Sequence, residues 1–319
     1  MVRRDVARDR RAPQRGGRRA ARRIAAWWWL GFLALLGPIA LGRIDAVTVP
    51  LALTGLLWAA GRPRLAAALL TIATWVKVWP AALVTALVIA SRKRWEVVTV
   101  AITLSVGILA VSLVAGSGFN ALGFVAEQAG RGLQIEAPLA VAWLWQIVAG
   151  STAVEIVYDR QILTFQISGP GADAAAAATT PLMAVGVAVV LLLGIRAVRR
   201  GAAFGRLLPP LALSFVVVLM LANKVGSPQF VTWLAAPIIL GLALQPRRFR
   251  LPAALAAAVA LCTHVLYPYL YGWLLAAHPA FVLLLTAKVV LLVVLFVWAV
   301  RAVWQAGGIR HRSDPEPAA

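Results

Sequence analysis

Three cations and two carboxylates are the residues of this sequence best suited to handling an anion. Lys77, Arg131 and Lys224 could hold a phosphate group, and Glu136 or Asp45 could accept a proton as a general base. These five residues come from four separate segments of the chain. The chemistry therefore requires a fold that brings distant segments into a single pocket.

The segment from Asn223 to Gln229 concentrates unusual residues between two apolar stretches. It holds a cation, polar side chains, Gly226 and Pro228 within seven positions. This composition suits backbone shaped around an anionic ligand. A tight turn whose Lys224 side chain reaches toward water explains the same residues, and both interpretations stay open.

Other polar residues have more ordinary explanations. An isolated Asp45 beside Arg43 usually forms a surface pair, and a single His264 in a helix is usually a packing residue. Lys288 lies inside an apolar stretch, where we expect it to pair within a helical bundle. The single Cys262 excludes an intramolecular disulfide and a Cys-based metal cluster, and we predict no metal site.

The composition indicates an integral membrane protein. The 319 residues are 62% hydrophobic and 13% charged, whereas a soluble globule has about one quarter charged residues. The net charge of +20 comes from a basic tail and from short basic runs between apolar stretches. Such runs are typical of cytoplasmic loops and of attraction to anionic lipids, so we do not predict nucleic-acid binding.

The apolar stretches predict an all-α, polytopic bundle with about 8–10 spanning or re-entrant helices. We expect a basic, disordered cytoplasmic tail at 1–23, one membrane domain at 24–303, and a cytoplasmic tail at 304–319. The candidate crossings are 24–42, 46–60, 65–90, 96–115, 176–198, 207–222, 230–244, 251–271 and 280–300.

Segment 65–90 breaks the alternation of the charge rule, because basic runs flank it on both sides. Its length gives about 39 Å of helix, too little for two crossings. Lys77 lies close to the helix breaker Pro80, so we predict a broken, re-entrant pair that presents Lys77 at the outer side. The alternative is one ordinary crossing, with 138–150 forced across the membrane to restore the alternation.

The region 116–175 is the longest stretch without a clear crossing, and we place it at the outer face. Within it, 138–150 is apolar but too short to span, and its tryptophans suit the membrane interface. No nucleotide-binding or nucleophile motif is present. Since nucleotides are scarce outside the cytoplasm, an outward-facing transferase needs a donor that arrives in the membrane, such as a lipid-phosphate sugar.

Four strings together resemble the actinobacterial branch of glycosyltransferase family 87, the polyprenyl-phosphate-mannose-dependent mannosyltransferases of the GT-C superfamily. The resemblance covers roughly residues 27–300 and depends on the order of the strings. They are Trp75-Val-Lys77-Val-Trp-Pro80, Arg131-Gly-Leu-Gln134-Ile-Glu136, Asn223-Lys224-Val-Gly-Ser-Pro-Gln229 with Trp233, and Thr263-His264-Val-Leu-Tyr-Pro-Tyr-Leu-Tyr271.

This resemblance implies a multi-pass protein of the cell membrane that uses a polyprenyl-phosphate sugar as co-substrate and no cofactor. It implies inverting transfer of a mannosyl or other hexosyl group to a glycolipid or glycan acceptor at the extracytoplasmic face. The other implied partners are membrane lipids. By resemblance, Lys77, Arg131 and Lys224 would lie near the donor phosphate, and the sugar and acceptor pocket would be lined by Gln134, Glu136, Gln229 and His264.

The sequence departs from the family at its amino terminus. Members of the superfamily carry a catalytic aspartate in the first outer loop, after an N-terminal helix. Here an Arg-rich tail enters a later family helix at Trp27, and the only acid in the first predicted outer loop is Asp45. We therefore expect a chain that lacks the N-terminal part and its usual base, with impaired turnover.

Two other classes of function remain as alternatives. A membrane transporter or lipid flippase with an anion site would share a broken helix and a polar site at the middle of the membrane. A non-catalytic membrane scaffold would need no chemistry from these residues. Transfer from a lipid-linked sugar donor, as opposed to donor-independent solute uptake, discriminates the first class from the transferase.

Overall fold

The computed structural model describes residues 12–118, 120, 123 and 131–308. The outermost parts of both predicted tails, 1–11 and 309–319, lie outside these residues. The helices are α1 (Ala12–Leu36), α2 (Asp45–Trp58), α3 (Pro63–Val76), α4 (Ala81–Ala90), α5 (Arg94–Val114), α6 (Val141–Val148), α7 (Ala172–Arg199), α8 (Phe204–Leu221), α9 (Ala235–Leu244), α10 (Arg250–Leu266), α11 (Tyr271–Leu275) and α12 (Pro279–Ala306).

The predicted all-α membrane class is confirmed. Within the described residues, five helices are long and apolar enough to cross a membrane: Arg19–Ala40, α5, α7, α8 and α12. The remaining apolar helices are shorter and pack between them. Helix α8 is buried along most of its length and contacts α4, α7, α9 and α12, so it forms the centre of the core.

The predicted break in segment 65–90 is present. Helix α3 ends at Val76, Lys77 is extended, and α4 begins after Pro80. Proline lacks the N–H that would continue the α3 hydrogen-bond ladder, and its ring restricts the residue before it. With 14 and 10 residues, α3 and α4 measure about 21 Å and 15 Å, so neither spans a hydrocarbon layer of about 30 Å.

The short segment 138–150 forms a single 3-10 turn and helix α6 rather than a crossing. Helix α6 has 8 residues, about 12 Å, and packs against α12 through a hydrogen bond from Trp145 Nε1 to Thr286 Oγ1 of 3.0 Å. This arrangement favours the first topology, in which 65–90 is re-entrant and 138–150 does not cross.

A β-hairpin, which the helical prediction did not include, follows α6. Strands β1 (Glu155–Asp159) and β2 (Thr164–Ser168) pair antiparallel, with Glu155 opposite Ser168. The preceding segment 131–137 joins the edge of β2, since Ile135 N–H donates to Phe165 O and Ile167 N–H donates to Leu133 O. The hairpin therefore fixes the backbone of the segment that carries Glu136.

The loops with site candidates and the loops with basic runs lie at opposite ends of the bundle. At the first end, Lys77 reaches Asp45, and Gln134 N–H donates to Lys224 O. At the second end, Arg248 donates to Ala302 O at 3.2 Å, and Gln245 donates to Gly205 O at 2.8 Å. We call these the site end and the basic end.

Candidate functional site

Asp45 is the centre of a buried polar cluster at the site end, which we call the Asp45 cluster. It consists of Asp45, Thr48, Lys77, Trp79, Phe230 and Trp233. Asp45 begins α2 and is 0% exposed. Its Oδ2 accepts from Lys77 Nζ at 2.6 Å, and its Oδ1 accepts from Trp233 Nε1 at 2.6 Å. Both carboxylate oxygens are thus bound by protein donors.

Aromatic rings surround the cation of this cluster. Trp233 stacks on Phe230 at 4.2 Å and on Trp79 at 5.3 Å between ring centroids. Lys77 Nζ lies 5.1 Å from the Phe230 centroid and 5.6 Å from that of Trp233. Trp79 is held in turn by a hydrogen bond to Thr48 Oγ1. The arrangement fixes Lys77 as a cation in an aromatic setting with Asp45 as its counter-ion.

A second cluster lies on segment 131–137 and its neighbours, and we call it the Glu136 cluster. It consists of Arg131, Gln134, Glu136, Lys224, Tyr271 and Lys288. Glu136 is 7% exposed, and its Oε2 lies 3.7 Å from Lys288 Nζ. At this distance the two groups form an ion pair but not a hydrogen bond. Within the described part of the chain, this buried Oε2 has no hydrogen-bond partner.

Burial raises the pKa of Glu136 to about 7, against the opposing effects of Lys288 and the Tyr271 hydroxyl. A carboxyl group with a pKa near 7 can accept a proton at neutral pH and is strong enough to act as a general base. Its Oε2, which accepts no hydrogen bond from a described residue, is the atom available for that proton. Glu136 therefore fits the role of base better than Asp45, whose two oxygens are occupied.

Two cations lie next to each other beside Glu136. Burial lowers the pKa of Lys224, and the positive charge of Arg131 lowers it further. The Arg131 Nε is buried and donates to no acceptor among the described residues. Two positive charges held side by side are typical of a site that binds an anion. The buried Nε–H of Arg131, which donates to no described residue, is a further sign of such a site.

Gly226 allows the two segments of the Glu136 cluster to approach. A Cβ atom at this position would overlap the carbonyl group of Glu136 and the backbone N of Ala137. The adjacent hydrogen bond from Gln134 N–H to Lys224 O, 3.0 Å long, fixes the register of the loop on segment 131–137. The glycine in the Asn223–Gln229 segment thus has a packing role that brings Lys224 beside Arg131.

Two further predicted residues lie at the same end. Gln229 is half-buried at the start of the 3-10 turn Pro228–Leu234, which also carries Phe230 and Trp233. His264 is in the last turn of α10, and its imidazole packs on Gly37, where a Cβ would overlap the ring. Gly37 has φ +72, so this position favours glycine for conformational reasons as well.

The structure divides the predicted site residues other than Gln229 and His264 between two clusters. It brings Arg131, Gln134, Glu136 and Lys224 together, whereas Lys77 pairs with Asp45. The expected pairing of Lys288 within the bundle is present, with Glu136 as its partner. The interpretation of Asp45 as a surface pair with Arg43 is wrong, because Asp45 is fully buried and bound to Lys77 and Trp233.

Tyr271 and Phe230 complete the clusters, although the sequence alone predicted no role for either residue. Tyr271 ends one of the four strings, and Phe230 follows Gln229 directly. Their positions in or next to those strings were the only indication of a role, because an aromatic residue in an apolar chain is ordinarily a packing residue. Among the described residues, no group of three or more His, Cys, Asp or Glu side chains could hold a metal ion.

Fold and site together define a polytopic helical membrane protein with two buried ionic clusters at one end of its bundle. Residues 1–132 match the family model of Glycosyltransferase family 87. The resemblance to this family is confirmed over the matched residues, and the assignment to the GT-C superfamily is consistent with it. The matched region contains Asp45, Lys77 and Arg131. The chain matches no curated protein and no solved structure.

Proposed function

We propose that this protein transfers a mannosyl or other hexosyl group from a polyprenyl-phosphate donor to a glycolipid or glycan acceptor at the extracytoplasmic face. The family match indicates a membrane glycosyltransferase in general. The observation that supports transfer from a polyprenyl-phosphate donor is the Glu136 cluster. It combines two adjacent cations with a buried carboxyl group whose pKa is about 7.

The cations supply the electrostatic part of the reaction. Arg131 and Lys224 hold the phosphate that links sugar and lipid, and the Nε–H of Arg131, which donates to no described residue, donates to one of the phosphate oxygens. Negative charge grows on this phosphate as the bond from C1 of the sugar to the phosphate oxygen breaks. Fixed cations in a dry site stabilise that charge without reorganisation.

Glu136 supplies the proton transfer. The acceptor hydroxyl oxygen attacks C1 on the face opposite the phosphate, its proton moves to Glu136 Oε2, and polyprenyl phosphate leaves with the bonding electron pair. The sugar is transferred with inversion. Lys288 and Tyr271 hold the carboxyl group in place, and Gln134, Gln229 and His264 line the sugar and acceptor pocket in this proposal.

The Asp45 cluster positions a third cation, the ammonium group of Lys77. Asp45 neutralises Lys77 in the absence of substrate, and the rings of Phe230 and Trp233 lie within cation–π distance of its ammonium group. In this proposal Lys77 adds its charge to the donor phosphate. Asp45 is a positioning residue, and the base is Glu136.

The direct test is a transfer assay. Membranes containing the protein receive radiolabelled polyprenyl-phosphate mannose and an acceptor lipid extract. Arg131→Gln, Lys224→Gln and Glu136→Gln are each expected to lower transfer by about a hundredfold or more. Arg160→Gln removes an exposed charge in the tight turn between β1 and β2 and serves as the matched control, with transfer unchanged. Full transfer by all three variants would refute the assignment of the site.

A transporter or lipid flippase is the second candidate, and the break between α3 and α4 favours it. Interrupted helices beside buried charges are common in transporters. Uptake of a solute by vesicles that lack any lipid-linked sugar, together with absent sugar transfer, would favour this class. Sugar transfer that depends on the lipid donor would favour the glycosyltransferase.

A further inference from the structure

An apolar groove opens on the flank of the bundle, toward its basic end. Helix α4 forms its floor, and the start of α5 and the end of α7 form its walls. The groove encloses about 470 Å³ and is lined mainly by Val84, Val88, Leu191 and Ile195, with Arg94 and Arg199 also lining it. This volume lies within the range of small-molecule sites, roughly 300–1,000 Å³.

The groove exists because α7 approaches α4 closely while α5 diverges from α7. Gly194 faces α4, and a Cβ placed there would lie 3.2 Å from Ile89 Cγ2 and 3.0 Å from Leu211 Cδ1. Helix α5 instead packs on α3 and α4. Because its other face is almost wholly exposed, the space beside α4 opens to the side of the bundle.

The two arginines of the groove have no acidic partner within the described residues. The nearby acid Glu96 faces Arg64 at 3.2 Å and Lys93 at 3.5 Å. Arg94 and Arg199 are both exposed. They place two positive charges beside an apolar space, a combination complementary to an anionic head group that carries an acyl chain.

Trp95 indicates the depth of this charge in a bilayer. Its ring is 75% exposed on the first turn of α5, directly after Arg94. Exposed tryptophans at the ends of membrane helices lie at the level of the lipid head groups. Arg94 therefore lies where a phospholipid phosphate lies, and the valines of α4 lie at the depth of the acyl chains.

We infer that this groove binds one anionic phospholipid. Its phosphate lies between Arg94 and Arg199, and one acyl chain lies along Val84, Val88, Leu191 and Ile195. The site is separate from the Glu136 cluster and does not depend on the proposed sugar transfer.

The test uses the full chain purified from membranes and exchanged against equal amounts of phosphatidylglycerol and phosphatidylcholine. Native mass spectrometry then counts the lipids retained. The unaltered protein is expected to retain one phosphatidylglycerol in preference to phosphatidylcholine. The double variant Arg94→Gln/Arg199→Gln is expected to lower that preference by about tenfold or more, since each basic residue near a membrane contributes separately.

The matched control is Arg92→Gln/Arg200→Gln, which removes the same charge from neighbouring exposed positions outside the groove. It is expected to keep the preference within about twofold, because these residues contribute only to the diffuse surface charge. Val88→Trp fills the groove without changing charge and is expected to release the retained lipid.

Three results would overturn the inference. They are no preference for phosphatidylglycerol in the unaltered protein, an equal loss in the control variant, and displacement of the lipid by inorganic phosphate alone. The last would show a phosphate site without a lipid. Unaltered melting temperatures for the three variants establish that each loss is local.

Discussion

At the level of single residues, Asp45 and Glu136 are two buried carboxyl groups in opposite situations. Asp45 receives hydrogen bonds on both oxygens, from Lys77 and from Trp233. Glu136 keeps one oxygen without a hydrogen bond from a described residue, and its ion pair with Lys288 is longer, at 3.7 Å. The first carboxyl group therefore stabilises structure, whereas the second is available for chemistry.

The pair of Asp45 and Lys77 is predicted to contribute to stability through charge. Asp45→Asn keeps an acceptor for Trp233 but leaves Lys77 without its counter-ion. Breaking a buried pair from one side costs about 3–5 kcal/mol, so the melting temperature in detergent is expected to fall clearly. Adding Lys77→Met in the same chain is expected to recover part of the loss. Tryptophan fluorescence during heating measures both effects.

The exposed pair of Arg64 and Glu96 is the control for this experiment. Their side chains are 74% and 31% exposed, so Glu96→Gln is expected to cost less than about 1 kcal/mol. If Asp45→Asn lowered the melting temperature no more than Glu96→Gln, the buried pair would have no special role. Sugar transfer retained by the Asp45/Lys77 double variant would exclude Asp45 as the base.

The pKa of Glu136 predicts a pH dependence of transfer. Since the base must be deprotonated and its pKa is about 7, transfer is expected to rise about tenfold between about pH 6 and about pH 8. Initial rates at saturating donor measure this profile. Glu136→Asp is expected to keep a low rate with a shifted profile. A rate of the unaltered protein that does not change across this range would contradict the assignment.

The same raised pKa predicts how stability changes with pH. The folded state favours the protonated carboxyl group, so this contribution is complete below about pH 4.5 and is lost as the pH rises through about 7. The unaltered protein should therefore lose stability relative to Glu136→Gln between about pH 5 and about pH 8. Paired melting curves of the two proteins show this difference directly.

The sequence identified the charged residues of both clusters but not their pairing. The partners of Asp45 are 32 and 188 positions away, so local spacing contains no sign of them. The only charged neighbour in the sequence, Arg43, is exposed and forms no ion pair with a described residue. Long-range packing of helices decides such pairs, and composition and periodicity do not report it.

At the level of elements, a loop and a short segment form the Glu136 cluster together. Gly226 is the point of contact, since any side chain there would displace the backbone of Glu136. Gly226→Ala is therefore predicted to separate Lys224 from Arg131 and to lower sugar transfer by about tenfold or more, a loss in the range attributed to misplaced catalytic groups. The transfer assay and the melting temperature are measured together.

Gly107→Ala is the control for this substitution. Gly107 lies in α5 with open space around its Cα, so an added methyl group meets no neighbour. Helix propensity predicts a gain of about 1 kcal/mol and unchanged transfer. Equal rates of sugar transfer by Gly226→Ala and Gly107→Ala would show that the contact at Gly226 does not position the Glu136 cluster.

The elements also show where sequence reasoning succeeds. The break between α3 and α4 follows from Pro80, from Lys77 and from basic runs on both sides, all visible in the sequence. The hairpin of β1 and β2 was not visible in the same way. Its strands have 5 residues each, and its role depends on pairing with segment 131–137, a contact between distant residues.

At the level of the whole molecule, the bundle has a site end and a basic end. The rule that basic loops stay in the cytoplasm predicts that the site end faces outward. We expect cysteines at 43 and 160 to react with a membrane-impermeant maleimide in intact cells. Cysteines at 64 and 250 should react only after permeabilisation. All four positions are exposed, so burial does not explain a difference.

The experiment uses a chain in which Cys262 is replaced by alanine, so that each introduced thiol is single. Labelling of all four positions from one side, or of 43 and 160 on different sides, would contradict the topology. The sidedness of the proposed transfer would then need to be revised, while the contacts within each cluster would stay as they are.

The short helices α2 and α3 have a consequence for a lipid-borne substrate. Each has 14 residues, about 21 Å, so each falls roughly 9 Å short of an ordinary hydrocarbon layer of about 30 Å. With the basic loops at the cytoplasmic surface, we expect Asp45 and Lys77, at the far ends of these helices, to lie below the outer boundary of the layer rather than at it. A sugar phosphate carried on a long prenyl tail could enter sideways from the bilayer, with little need to lift its tail out of the oily phase.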